Sequence, residues 1–159
     1  MNTNMINHWL MKSEPTCYSL QHLKKDKTEP WDGVRNYQAR NFMRDDMRID
    51  DLAFFYHSNC KKPHIAGICR ISKESYPDHT AWDASPENTH FDAKSTPENP
   101  RWFMVDVEFV EEFKSPVYLK DLKKEPGLEN MNVLQKGSRL SITPVSPREF
   151  DIICEMGKK

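Results

Sequence analysis

The run Trp31-Asp32-Gly33-Val34-Arg35-Asn36-Tyr37-Gln38-Ala39-Arg40-Asn41 sets an indole, a phenol, guanidinium groups and carboxamides side by side around a glycine. Core packing does not ask for that mixture. A site that stacks a flat ring and reads its edge does: aromatic faces supply the stacking, and Asn or Arg a planar hydrogen-bonding fork. Trp9-Leu10-Met11-Lys12-Ser13-Glu14-Pro15 and Phe54-Phe55-Tyr56-His57-Ser58-Asn59 share one design, apolar strand-like residues that end abruptly in polar side chains. These runs suit recognition better than reaction. Adjacent residues of an extended strand face opposite ways, so His57 and Ser58 do not make a base–nucleophile couple. The chain has no nucleophile elbow, Walker loop or dinucleotide fingerprint, and its 5 glycines leave little for a phosphate-cradling loop. Cys17, Cys60, Cys69 and Cys154 contain no Cys-x-x-Cys pair, and His57, Cys60, His64 and Cys69 lack the paired spacing of zinc ligands. No metal or cofactor is expected.

Positioning these residues falls to a single α+β domain spanning 1–159. His8–Lys12 and Leu52–His57 read as strands, the second too continuously apolar to be half exposed. Tyr18–Lys25 reads as a short helix with Leu20 and Leu23 turned inward. Asn36–Arg48 reads as one helix, with Ala39, Met43 and Met47 on its inner face and Arg40, Arg44 and Arg48 on the adjacent stripe. Ile65–Ser72 and Arg101–Phe113 are further strands. The second alternates Phe103, Val105, Val107 and Phe109 with Met104, Asp106 and Glu108. Between them, residues 76–100 carry Pro77, Pro86, Pro97 and Pro100, a long irregular segment of the kind that is functional or mobile. Val117–Lys124 reads as a helix and Leu140–Pro144 as a strand. Ser146-Pro147-Arg148-Glu149 is a capping box with proline at the first helical position, opening a last helix packed through Phe150, Ile153 and Met156.

The 23 basic residues are balanced by 24 acidic ones for a net charge of -1, which argues against a domain that grips long duplex through many phosphates. Residues 31–44 are locally positive, with Arg35, Arg40 and Arg44 against Asp32. No apolar run approaches the ~20 residues that cross a bilayer, and the N-terminus lacks a signal-peptide pattern. The expectation is a cytoplasmic protein, or a nuclear one in a eukaryote, with no membrane partner.

These three runs resemble the signature segments of the EVE domain family. The likeness continues through Tyr76-Pro77-Asp78, Asp92-Ala93-Lys94-Ser95, Pro100-Arg101-Trp102, Val105-Asp106-Val107 and Arg139-Leu140-Ser141. Two positions depart from the family pattern: Asp50 precedes Asp51 where glycine is frequent, and His64 follows Pro63 where glycine is common. Both are expected in turns. The resemblance implies a PUA-like fold, a strongly bent β-barrel with short helices packed at its ends. It also implies a nucleic-acid-binding module that reads a modified base, such as 5-methylcytosine, flipped into a pocket. On that reading Trp31 is one stacking wall and Tyr37, with Phe91 or Trp102, the other. Asn36, Ser58 and Asn59 read the base edge beside His57, while Lys12, Ser13 and Arg40 hold the flanking phosphate or sugar. Lys94, Ser95 and Ser141 close the far side. Two alternatives remain at this point. One is an enzyme acting on a modified nucleotide through Asp32 or His57; the other is a protein–protein adaptor, for which the sequence shows no surplus of surface apolar residues.

Overall fold

A computed structural model describes residues 6–159. Its elements are β1 (His8–Ser13), α1 (Leu20–Asp26), β2 (Thr28–Pro30), α2 (Tyr37–Asn41), β3 (Leu52–His57), β4 (His64–Pro77), β5 (Phe103–Tyr118), α3 (Leu119–Leu122), β6 (Ile142–Val145) and α4 (Pro147–Gly157). The strands form one mixed sheet in the order β2-β5-β4-β3-β1-β6. β1 runs parallel to β3, and all other neighbours are antiparallel.

Among the described residues the sheet does not close. β2 and β6 are its two edges, so the barrel expected from the family resemblance is corrected to an open sheet. The bend is nevertheless present: the β4–β5 ladder shifts register four times between Ile65 and Tyr76, and each bulge kinks and twists the pair. Gly67 sits at the first of these shifts, where a Cβ would lie 2.1 Å from the Glu111 carbonyl oxygen.

Both faces of the sheet are covered, which is why β3 is apolar throughout. Phe55 and Ala53 face a core of Trp9, Met11, Val105 and Val107 closed by Leu20 and Leu23 of α1 and by Ala39, Met43 and Met47. Phe54 and Tyr56 face the opposite core with Leu10, Ile65 and Ile68, closed by Leu122, Phe150 and Ile153. Each fully buried Leu, Phe or Met contributes about 1.5–3 kcal/mol of burial free energy.

Several elements differ from the expectation for identifiable reasons. The single helix of 36–48 is α2 followed by a π-helical turn, Phe42–Asp46, in which the Met47 amide donates to the Phe42 carbonyl at 2.9 Å. The wider turn leaves both Met43 and Met47 fully buried. Val117 and Tyr118 are strand rather than helix, because they pair with Ile65 and His64. His64 is therefore the first residue of β4, whereas Asp50 does occupy a turn, with φ of 76°. α1 begins at a Ser19–His22 capping box, and α4 at the expected Ser146–Glu149 box.

Candidate functional site

The end of β1 and the loop after β2 enclose a cavity of about 350 Å³. Lys12, Ser13 and Glu14 form one wall, Glu29 to Arg35 the other, and Tyr18, His90 and Ser141 complete the rim. Ser141 belongs there because its carbonyl accepts from the Lys12 amide at 2.8 Å. Trp31 has one side in the core, edge-on to Phe55 at 5.5 Å, and is 8% exposed toward the cavity. Its amide is tied to the Val105 carbonyl at 2.7 Å, which fixes the ring relative to the sheet.

A polar brace holds the rest of the wall. Asp78 is fully buried and accepts from the Gly33 amide (2.8 Å), the Thr80 amide (2.9 Å) and Arg35 Nη1 (3.0 Å). Arg35 also donates from Nε and Nη2 to the His90 carbonyl, at 3.1 and 2.7 Å. One guanidinium thus joins the loop after β2 to the long segment between β4 and β5. Gly33 has φ of 81°, and a Cβ there would lie 2.6 Å from the His90 ring, so the position requires glycine twice over. Burial pushes the Asp78 carboxyl up, but the Thr80 hydroxyl, the Gly33 amide and Arg35 outweigh it and hold it below its ordinary value.

The cavity is electrostatically mixed. Burial raises the pKa of Asp32, aided by Asp78 and opposed by His90 and Arg35. Burial also raises Glu29, with Asp32, Asp26 and Asp106 adding to the effect. Burial lowers Lys12. The carboxyl groups of Glu14, Glu29 and Asp32, the Lys12 ammonium and the Ser141 hydroxyl therefore surround an aromatic wall, with the Ser13 hydroxyl donating to the Tyr18 carbonyl at 2.5 Å. That set suits a flat polar ring with both donors and acceptors on its edge. Among the described residues no group of three or more His, Cys, Asp or Glu is placed to hold a metal ion, and all four cysteines are free thiols.

A family model, the EVE domain, matches residues 7–156. The chain belongs to the EVE domain family. It is 46% identical to human thymocyte nuclear protein 1 over 98% of its own length and 76% of that protein's. A crystal structure from Pseudomonas syringae superposes with a TM-score of 0.89 at 47% identity, over 94% of this chain and 99% of that one. The human protein in complex with DNA containing 5-methylcytosine superposes with a TM-score of 0.86 at 45% identity, over 96% and 98%.

In this EVE domain the residues singled out from sequence fall into separate groups. Lys12, Ser13, Trp31 and Ser141 meet at the cavity. Tyr37, Arg40 and Trp102 form an adjoining cluster: Tyr37 stacks on Trp102 at 4.8 Å, and the Arg40 guanidinium lies 4.8 Å from the Tyr37 ring centre. Arg35, 5.5 Å from the Trp102 ring centre, links this cluster to the cavity. Trp102 is buried, with its Nε1 donating to Asp92 at 2.7 Å. The Asn36 carboxamide is used inside α2, where its oxygen accepts from the Ala39 amide at 3.0 Å. Ser95 is buried and accepts from the Arg101 amide at 2.9 Å. Phe91 and Lys94 are exposed on the long segment. His57, Ser58 and Asn59 lie at the sheet end and do not line the cavity; His57 Nε2 accepts from the Leu20 amide at 3.1 Å, and Asn59 takes φ of 52° in the turn. Sequence reasoning misses Glu29, Tyr18, His90 and the Arg35–Asp78 brace. Asp78 belongs to the Tyr76-Pro77-Asp78 segment, but nothing in sequence marks a carboxylate whose partners lie over 40 residues away.

Proposed function

We propose that this EVE domain binds nucleic acid and reads a modified cytosine, 5-methylcytosine foremost, turned out of its strand into the Trp31 cavity. One observation carries the reading: the mixed-edge cavity against Trp31 lies in a chain that superposes along 96% of its length on a relative solved with 5-methylcytosine-containing DNA. Asp32 and Glu29 accept from the cytosine amino group, as carboxylates do in base recognition, and Lys12 and Ser141 donate to its ring nitrogen and carbonyl oxygen, while Ser13 holds the rim through its bond to the Tyr18 carbonyl. Trp31 stacks on the base, worth about 1–3 kcal/mol. Extruding a base from duplex costs a few kcal/mol, so single strands bind better. A methyl group buried against Pro30 or Val34 adds about 0.8 kcal/mol, a several-fold preference over plain cytosine. The bulged six-stranded sheet with its short helices supports a PUA-like assignment, and a nucleic-acid ligand fits a protein of the cytoplasm, or of the nucleus in a eukaryote.

The test is a fluorescence titration with short single strands containing cytosine, 5-methylcytosine or 5-hydroxymethylcytosine. Trp31→Ala would empty part of the core as well as the site, so the comparison uses Trp31→Phe, Lys12→Gln and Asp32→Asn. Saturable binding that favours a modified base and weakens in the cavity variants is expected; equal binding of all three strands in every protein overturns the reading. A second reading has one observation behind it, the two raised carboxyl groups in one cavity, a pattern frequent at catalytic sites. It requires turnover of a modified nucleotide that Asp32→Asn abolishes, and recovery of unchanged ligand excludes it.

A further inference from the structure

A second concavity, of about 420 Å³, opens beyond the turn between β3 and β4. Five lysines wall it: Lys61 and Lys62 from that turn, and Lys120, Lys123 and Lys124 from α3 and the residues after it. Its floor is Pro63, Tyr118 and Leu119, with the Lys62 ammonium 5.9 Å from the Tyr118 ring centre. No acidic residue lines it. Asp121 and Glu125 line a neighbouring depression near Pro116 and Met156, which only Lys124 of the five shares.

The clustering stands out in a chain whose charges balance to -1 overall. Elsewhere Lys24 pairs with Glu112 and Lys158 with Glu155, while among the described residues none of the five groove lysines has a carboxylate within 4.0 Å. Five exposed ammonium groups on two segments repel one another, and among the described residues no ion pair offsets that repulsion. An anionic partner relieves that repulsion.

The sheet sets how far the groove lies from the cavity. Ser13, His57, His64 and Tyr118 are register partners in one row across β1, β3, β4 and β5. Ser13 lines the Trp31 cavity and Tyr118 floors the lysine groove. Three strand spacings separate them, ~14 Å. A nucleic-acid strand advances ~3.4 Å of helix axis per nucleotide, and more when extended, so the groove lies within four phosphates of a base held in the cavity.

We propose that the lysine groove binds the phosphodiester backbone of the strand whose base enters the Trp31 cavity, a few nucleotides from that base. This rests on the base-reading function, and the two are separable by oligonucleotide length. A trinucleotide with a central 5-methylcytosine fills the cavity without reaching the groove; a twelve-nucleotide strand reaches both. Affinities for each are measured across a salt series with wild type, a Lys120→Gln/Lys123→Gln/Lys124→Gln variant and its Lys→Arg counterpart. The neutralised variant is expected to bind the trinucleotide as wild type does. On the longer strand its slope of log Kd against log salt falls by about two, since each phosphate contact on a single strand contributes about 0.7. The arginine variant restores the slope. An unchanged slope on the long strand overturns the groove assignment while leaving the base-reading function standing, and so does an equal loss on both ligands. Binding that shows no preference for the modified base overturns the function on which the assignment rests.

Discussion

Lowering the pH from 7 to about 4.5 destabilises this protein through His57, and the geometry sets the size of the effect. The Leu20 amide donates to His57 Nε2, so that nitrogen carries no proton. The ring proton is then on Nδ1 and points at His64 Nε2, 3.1 Å away, while His64 Nδ1 donates to the Lys62 carbonyl at 2.8 Å. Every acceptor in this relay is occupied, and a second proton on His57 would face the Leu20 N–H head-on. Burial, with His64 adding to it, pushes the pKa of His57 down to about 4, against 6.5 in the unfolded chain. Between those values the unfolded chain binds a proton that the folded one refuses. The stabilisation is therefore complete above pH 6.5 and is lost as the pH falls toward 4. At pH 4.5 the loss is about 2 kcal/mol, because every tenfold difference in proton affinity between the two states is worth about 1.4 kcal/mol. Urea unfolding at pH 7 and 4.5 measures it in wild type and in His57→Gln, whose side-chain oxygen still accepts from Leu20 but does not titrate. His8, whose pKa burial also lowers, contributes equally to both proteins. The variant starts less stable at pH 7, and the gap should narrow by about 2 kcal/mol on acidification. Parallel losses in the two proteins would refute the relay.

Arg35→Lys keeps the charge but loses the fork to Asp78 and the His90 carbonyl, leaving a fully buried carboxylate under-paired; a loss of about 2–3 kcal/mol in denaturant unfolding is expected. Gly33→Ala meets both a left-handed backbone and the His90 ring, and should lower the melting temperature by several degrees and weaken base binding together. A variant that melts normally yet fails to bind would show that the loop had moved without strain. Ser146→Ala removes the cap of α4 and should cost about 1 kcal/mol without changing ligand affinity, checked by thermal melting and titration. If Asp32 accepts from the base, affinity falls as the pH drops through its raised pKa, and Asp32→Asn flattens that dependence.

Legibility from sequence follows the range of the interactions. β3 is bounded by Leu52 and His57 as its unbroken apolar run suggests, and the Ser146 box lies within four residues of chain, so both can be read locally. Trp31, Lys12 and Ser13 stand out because polar groups follow aromatic ones abruptly, and they do meet at the cavity. Asn36 stands out for the same reason but spends its carboxamide on the helix it begins, a local use that composition does not distinguish from ligand contact. The ends of β4 and β5 run past their apolar cores because pairing between two long strands, not side-chain alternation, decides where they stop. At Asp50 the left-handed φ is one that aspartate tolerates, so the turn forms there without glycine.

The open sheet has a consequence for colloidal behaviour. A sheet that ends in two free edges offers each as a template for another chain, and long, flat, apolar edges aggregate. Here β4, of 14 residues, and β5, of 16, pair with each other from His64–Tyr118 to Pro77–Phe103, while β3 covers His64–Arg70 of β4 and β2 covers Asp106–Glu108 of β5. The terminal strands are the 3 residues of β2, which end in Pro30, and the 4 of β6, which contain Pro144. Proline contributes no amide to a ladder, so neither border presents an unbroken row of donors. With its long strands paired to each other and its terminal strands short and proline-bearing, native protein should resist edge-to-edge association at concentrations where a chain ending in β4 or β5 would not.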